Sequence, residues 1–336
     1  MEKLRVGVIG CGHIGKTHVE RLTNKIPNTE VTAVSDFFEE AAQGVAKQYG
    51  CKAFKTGEEL INSDLTDAIL IASSDPSHAG YVLESIKAGK RVLCEKPLAT
   101  TPQECIQIME AEQKAGKKFC QVGFMRRYDP GYKEIKSFID SGEGGLPLMI
   151  HEKHRNAYQT GSGFGKETTI NGVCIHEIDI SRWLTSDEYV SGQVIKARQN
   201  RETKGDYPNP LMVILKTREG VVIDVEITSS EAYAYDIQCE VITEKASVKL
   251  PDPPRCLYRI NTESKMPLMS DWSQRFPGAY DVELQAWADA IQAGRDEGPS
   301  AWDGYVAAVT AATLIKSIDS GKEEKIDLIE KPSVYK

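Results

Sequence analysis

Gly10, Gly12, Gly15 and Asp36 have the residue types and the spacing to hold a dinucleotide. They lie in Val-Gly-Val-Ile-Gly10-Cys-Gly12-His13-Ile14-Gly15, where a short apolar run leads into G-x-G-x-x-G. Gly10 is expected to allow a tight turn, Gly12 to let backbone approach a pyrophosphate, and Gly15 to let a helix pack on a strand. His13 and Ile14 complete the loop, and the helix N-terminus after it offers N–H groups and partial positive charge to phosphates. Asp36 follows Gly15 by 21 residues, near the roughly 20 of a dinucleotide-binding βαβ unit. A carboxylate there accepts hydrogen bonds from the ribose hydroxyls of NAD and repels the 2′-phosphate of NADP. Phe37 and Phe38 follow, with no Arg or Lys beside them, so the expected cofactor is NAD.

Three other segments follow strand-like runs and should reach the same sheet edge, where ligands of such folds bind. They are Ser73-Ser74-Asp75-Pro76-Ser77-His78, Cys94-Glu95-Lys96-Pro97 and Gly123-Phe-Met125-Arg126-Arg127-Tyr128. Lys96 beside a cofactor could hold a substrate oxygen and favour the alkoxide that develops during oxidation. Pro97 restricts Lys96 to an extended backbone. The alternative is a Glu–Lys surface pair. Further along, Cys174-Ile-His176-Glu177-Ile-Asp179 places His176 on or near the apolar face of a helix. It is either a buried, satisfied imidazole or a base that removes a hydroxyl proton. His151, His154, Arg155, Asn156, Tyr233, Tyr235 and Tyr280 could line a polyol site or simply decorate a sheet.

The elements that must position these groups are legible from patterning. Residues 4–9, 31–35, 68–72, 91–94 and 118–123 read as short buried strands. Helical patterns such as 76–88 and 102–115 lie between them, with Asp75 and Thr101 as N-caps before first-turn prolines. Such alternation predicts a doubly wound parallel sheet, the α/β Rossmann arrangement, over residues 1–123. From 124 to 336 the pattern changes. Helices at 132–141 and 170–184 flank a strand at 147–154 and a Gly/Thr-rich loop at 157–169. Strands follow one another at 192–197, 211–217, 221–228, 236–243 and 246–250. This predicts an α+β domain with a large, open, mostly antiparallel sheet. The chain ends in helices at 279–293 and 302–320, the last of which could pack back on the first domain. An open sheet face needs a cover, and a second subunit could supply it.

Composition narrows the function classes. The chain has 336 residues, 27% charged and 40% hydrophobic, with net charge −8. No basic footprint for nucleic acid or anionic membrane exists. The first strand starts by Leu4, which leaves no room for a signal peptide, so a cytoplasmic location is expected. The eight cysteines are scattered without C-x-x-C, which favours free thiols over disulfides or a metal site.

These pieces together resemble the Gfo/Idh/MocA oxidoreductase family. The likeness runs nearly end to end through Cys94-Glu-Lys-Pro-Leu98, Gln121-Val-Gly-Phe-Met-Arg-Arg-Tyr128, Leu148-Met-Ile-His151, His154-Arg-Asn156, His176-Glu-Ile-Asp179, Tyr235-Asp-Ile-Gln-Cys-Glu240, Ala301-Trp-Asp-Gly-Tyr305 and Glu330-Lys-Pro. The Met-Arg-Arg-Tyr and Tyr-Asp-Ile-Gln-Cys-Glu runs resemble its inositol-oxidising branch. The resemblance implies NAD-dependent oxidation of a cyclic polyol, myo-inositol to its 2-keto form being the expected reaction. It implies Lys96 and His176 as catalytic residues. Ser73, Ser74, His78, Glu95 and Lys96 would lie along the cofactor with the glycine loop and Asp36. Met125, Arg126 (or Arg127), His154, Asn156, Gly172 and Tyr235 would line the substrate. It further implies a homotetramer and no metal. One position departs: the family pattern has an Asp four residues before the histidine, and Gly172 stands there. Three readings follow from it. Asn171 or another nearby group takes over the orienting role, the oxidised ring differs from myo-inositol, or turnover is low.

Overall fold

Strand β1 (Leu4–Ile9) is almost wholly buried and rich in β-branched residues, as a central parallel strand must be. The computed structural model describes residues 2–157, 165–203, 207–229, 233–251 and 256–336. After β1 come α1 (His13–Asn24), β2 (Thr29–Ser35), α2 (Glu39–Tyr49), β3 (Lys52–Phe54), α3 (Gly57–Ile61), β4 (Ala68–Ile71), α4 (His78–Lys87), β5 (Arg91–Glu95), α5 (Pro102–Ala115) and β6 (Cys120–Gly123). The strands form one sheet in the order β3-β2-β1-β4-β5-β6, every pair parallel. This is the doubly wound Rossmann arrangement, with its order reversing between β1 and β4. Strand β3, three residues on an edge, is too short to carry a readable period.

Caps locate the helices. Thr101 caps α5 in a full capping box with Glu104, and Pro102 occupies the first turn. The expected Asp75 cap does not form. The chain makes a 3₁₀ turn over Asp75–Ser77 instead, and neither that turn nor α4 has a side-chain cap.

The chain divides into two compact units. The first holds Met1–Phe124, Tyr280–Ala308 and Leu328–Lys336. Its core joins Val6, Val8, Leu70 and Leu93 to Leu284, Trp287 and Ala288 of the later segment. At the C-terminus, the Tyr335 hydroxyl donates to buried Glu112, whose other oxygen accepts the N–H of Cys120 at 2.7 Å.

The second unit holds Met125–Ala279 and Val309–Asp327. Its elements are α6 (Pro130–Ser141), β7 (Pro147–Arg155), α7 (Ile175–Thr185), β8 (Tyr189–Lys196), β9 (Leu211–Thr217), β10 (Val222–Thr228), β11 (Asp236–Thr243), β12 (Ser247–Lys249), the hairpin β13 (Tyr258–Ile260) and β14 (Glu263–Lys265), and α8 (Trp272–Arg275). Helices α9 (Pro277–Gln292) and α10 (Ala301–Ser320) each give residues to both units, and β15 (Glu324–Lys325) closes the sheet edge. The seven-stranded sheet runs β12-β11-β7-β10-β9-β8-β15. Its pairs are antiparallel except β7 with β10, which is parallel. Alternation along β7 buries Ile150, Glu152 and His154 and leaves His151, Lys153 and Arg155 half-exposed. Of the expected 157–169 loop, residues 158–164 lie outside the described residues.

Candidate active site

The glycine loop has the geometry its spacing predicts. Gly10 adopts φ +100°, and a Cβ there would lie 2.3 Å from the carbonyl oxygen of Ala72. A Cβ on Gly15 would lie 1.9 Å from the Gly10 carbonyl oxygen, so that close approach admits no side chain. Gly12 differs: a Cβ there would meet nothing within 4 Å. The open side of the loop is therefore at Gly12, where backbone would approach a phosphate. Gly12 also precedes α1, whose N-terminus has no side-chain cap and no acidic residue in its first turn. No acidic side chain of its own first turn offsets its positive end. Ile14 packs against the core.

Asp36, at the end of β2, lends both oxygens to backbone. Oδ2 accepts the N–H of Cys11 at 2.6 Å and Oδ1 that of Phe38 at 2.8 Å. Each carboxylate oxygen has a second lone pair for a ribose hydroxyl. These residues fit NAD: an open cradle at Gly12, a helix N-terminus with no side-chain cap and a carboxylate held at the strand end.

Along the same sheet edge, Ser73 Oγ bonds Ser77 Oγ at 2.7 Å, and Ser74 is exposed. His78, expected along the cofactor, is 1% exposed and has a backbone carbonyl oxygen beside each ring nitrogen, to which a nitrogen bearing hydrogen donates. Nδ1 lies 2.7 Å from the Pro97 oxygen and Nε2 3.1 Å from that of Ser73. It staples the two loops that follow β4 and β5. Lys96 is half-buried and precedes a cis peptide to Pro97. Glu95 is buried, with Oε1 2.8 Å from His18 Nε2 and Oε2 accepting the Lys96 N–H at 3.2 Å. Burial works against its charge, but His18 and Lys96 outweigh that and hold the carboxyl below its ordinary range.

In the second unit a polar cluster stands on a buried ion pair. Arg126 and Glu177 are each 1% exposed and bonded to one another. Glu177 also lies 2.9 Å from His154 Nδ1, and Arg126 Nη2 lies 3.1 Å from the same nitrogen. One nitrogen cannot accept from the guanidinium and donate to the carboxylate at once. The shorter, charge-assisted contact to Glu177 is the one to which Nδ1 donates. Burial opposes the charges of Arg126 and Glu177. Their mutual attraction, with His154, nevertheless holds Glu177 below and Arg126 above the ordinary range. The His154 ring stands 6.3 Å from that of His176 and edge-on to Tyr235 at 5.7 Å. Burial pushes the Tyr235 phenol up to about 12, so it stays a neutral donor. Arg127 binds Asp179 through Nε at 2.9 Å. Both candidate arginines are thus paired with carboxylates.

Other candidates separate by face. Met125 is buried in a 3₁₀ turn over Met125–Tyr128. Half-buried Asn156 donates its backbone N–H to Thr228 at 2.8 Å. His151 pairs with Asp224, and Arg155 with Glu226 and Asp236, on the opposite sheet face from His154. Tyr233 is exposed and bonds Arg155 and Asp236. Tyr280 belongs to the first unit, where it lies edge-on to His18 at 5.6 Å. Gly172 lies in a π-helical stretch, Thr168–Cys174, with α7 beginning after it. The i→i+5 bonding adds a residue to the turn, so the four-residue spacing to His176 is not an α-helical register. Among the described residues, a Cβ on Gly172 would touch only Thr168 Cγ2, at 3.6 Å, an ordinary contact.

Sequence reasoning passed over His18, Glu152 and, as a site residue, Glu177. His18 shares the buried stripe of Gly15, Val19 and Leu22 on α1, and Glu152 the inward period of Ile150 and His154 on β7. Polar residues in such stripes were the available signal. Glu152 accepts from Ser181 Oγ at 2.6 Å. Burial and the nearby Glu177 charge push its carboxyl up to about 8.

The family model for the NAD-binding Rossmann fold of Gfo/Idh/MocA oxidoreductases matches residues 4–124. The model for the family's C-terminal alpha/beta domain matches residues 136–328. The chain belongs to the Gfo/Idh/MocA oxidoreductase family. It is 44% identical to the inositol 2-dehydrogenase of Burkholderia lata over 99% of both chains, and 45% identical to that of Azotobacter vinelandii over 99% of this chain and 98% of the relative. Among solved structures, the myo-inositol dehydrogenase of Lactobacillus casei, in complex with NAD(H) and myo-inositol, superposes with TM-score 0.96 at 35% identity. That match covers 99% of this chain and 100% of that one. This family member is an NAD-dependent oxidoreductase acting on CH–OH groups. Among the described residues, no helix is long and apolar enough to cross a membrane.

Proposed function

We propose that the chain oxidises myo-inositol to its 2-keto form. The observation that carries the reading is the end-to-end likeness to a dehydrogenase solved with NAD(H) and myo-inositol. The polar cluster agrees with it, since a cyclic polyol needs several donors and acceptors at fixed places. His154, Tyr235 and His176 offer imidazole and phenol groups, and the Arg126–Glu177 pair fixes the His154 tautomer.

In this reading His176 accepts the hydroxyl proton and the Lys96 ammonium stabilises the negative charge that grows on that oxygen. Bound NAD would supply the acceptor for the hydride of the ring carbon. Asp36 and the glycine loop hold the cofactor, and Met125, Asn156 and the Gly172 turn complete the substrate contacts. The oxidation gives ketone, NADH and one proton. We also read the chain as a cytoplasmic homotetramer. The half-exposed sheet face carries Met212, Ile214, Val222 and Ile242 beside its ion pairs, a mixture suited to covering by another subunit.

The deciding experiment is NADH absorbance on a panel of myo-inositol, scyllo-inositol, D-chiro-inositol and glucose. Highest kcat/KM on myo-inositol supports the reading, and preference for another ring overturns it. Light scattering after size exclusion tests the tetramer.

A further inference from the structure

We propose that His18 is a positioning residue for Lys96 and acts through Glu95. This rests on the reading of Lys96 as the group that stabilises the reacting oxygen.

Glu95 is the last residue of β5 and is 6% exposed. Its two oxygens are used from opposite sides: one meets His18 Nε2 at 2.8 Å, the other accepts the N–H of Lys96 at 3.2 Å. The carboxylate is therefore clamped onto the peptide from which the Lys96 side chain departs. It also fills the space beside Gly123, where a Cβ would lie 3.1 Å from Oε2. His18 is fully buried, which is rare for a titratable side chain without a task. Its Nδ1 has no hydrogen-bond partner among the described residues, and its ring meets Tyr280 edge-on. The interior leaves one nitrogen unsatisfied in order to present the other to Glu95.

The consequence follows from electrostatics. A buried carboxylate that loses its donor turns to the nearest cation. Lys96 already acts on Glu95 through its charge. Without His18, Glu95 would draw the Lys96 ammonium to itself and away from the substrate oxygen. Because α1 opens on the glycine loop, His18 also ties the cofactor loop to the strand end that carries Lys96.

The test compares His18→Leu, His18→Gln, Glu95→Gln, the His18→Leu/Lys96→Ala double variant and Lys96→Ala in the full-length chain. The Gln amide can place a donor near the position of the imidazole Nε2. For His18→Leu, kcat should fall at least about tenfold, the scale of misplacing a reacting group by a fraction of an ångström to an ångström. NAD affinity, measured by calorimetry, should stay within about twofold. His18→Gln should restore most of the turnover, and His18→Leu should cost nothing further in the Lys96→Ala background. Wild-type kcat in His18→Leu, equal losses in Leu and Gln, or a loss confined to NAD affinity would overturn the inference. If His18→Leu does not fold, Glu95→Gln takes its place, and wild-type kcat in Glu95→Gln overturns the inference as well. Full turnover in Lys96→Ala would instead remove the underlying reading of Lys96.

Discussion

Oδ2 of Asp36 accepts the backbone N–H of Cys11 from across the glycine loop, at 2.6 Å. One carboxylate thus shapes the loop, and in the proposed reading the same carboxylate selects NAD. Asp36→Ala removes the ribose acceptor and leaves two backbone donors to water. NAD affinity should fall by about ten- to a hundredfold, or about 1.4–2.8 kcal/mol, as expected for losing charge-assisted hydrogen bonds. Preference for NAD over NADP should shrink, since the repulsion of the 2′-phosphate is gone. Fluorescence titration with both nucleotides measures this. Unchanged discrimination would show that Asp36 does not select the cofactor.

Arg126 and Glu177 form a pair that is costly to break singly. Arg126→Met leaves Glu177 charged and buried, and should cost about 3–5 kcal/mol in urea unfolding at pH 7. Combining it with Glu177→Leu should recover most of that loss, because an apolar pair needs no solvation. Both variants should lose turnover, as His154 would no longer be held in one tautomer. A double variant no more stable than Arg126→Met would contradict this account.

Glu152 gives a pH dependence of definite sign. Its carboxyl is pushed up to about 8 from an ordinary 4.5. Between those values the folded protein binds the proton and the unfolded chain does not. The stabilisation is complete below about 4.5 and is lost as pH rises to about 8, at up to about 1.4 kcal/mol per pH unit. Glu152→Gln keeps the shape and cannot ionise. Stability from urea melts at pH 5, 6.5 and 8 should therefore fall less steeply with pH for the variant than for the wild type. Parallel curves would refute the assignment.

Gly172 stands on a π-helical turn with room for a side chain. If an absent carboxylate limits the histidine, Gly172→Asp should raise kcat on the preferred polyol by about tenfold, within the usual range for supporting a general base. Steady-state kinetics decide. No gain in an already active enzyme would show that another group, such as Asn171, does that work.

Much of the molecule was legible from the residues alone. Buried parallel strands announce themselves as continuous apolar runs, and the glycine loop needs glycine at 10 and 15 because a Cβ at either would strike backbone. The capping box at Thr101 and Glu104 is equally local. Such features depend on neighbours in the chain, so spacing determines them. What spacing could not determine was which distant group meets which. Residues 280–308 return to the first unit without any compositional mark, and Tyr280 joins His18 there. The choice between Arg126 and Arg127 was open because adjacent residues on a turn point apart. Only the tertiary structure showed that each ends on its own carboxylate, Glu177 and Asp179. The same holds for Glu95 and His18, 77 residues apart. Burial makes a charge find a partner, and that partner is chosen by packing in space, which the order of residues does not record.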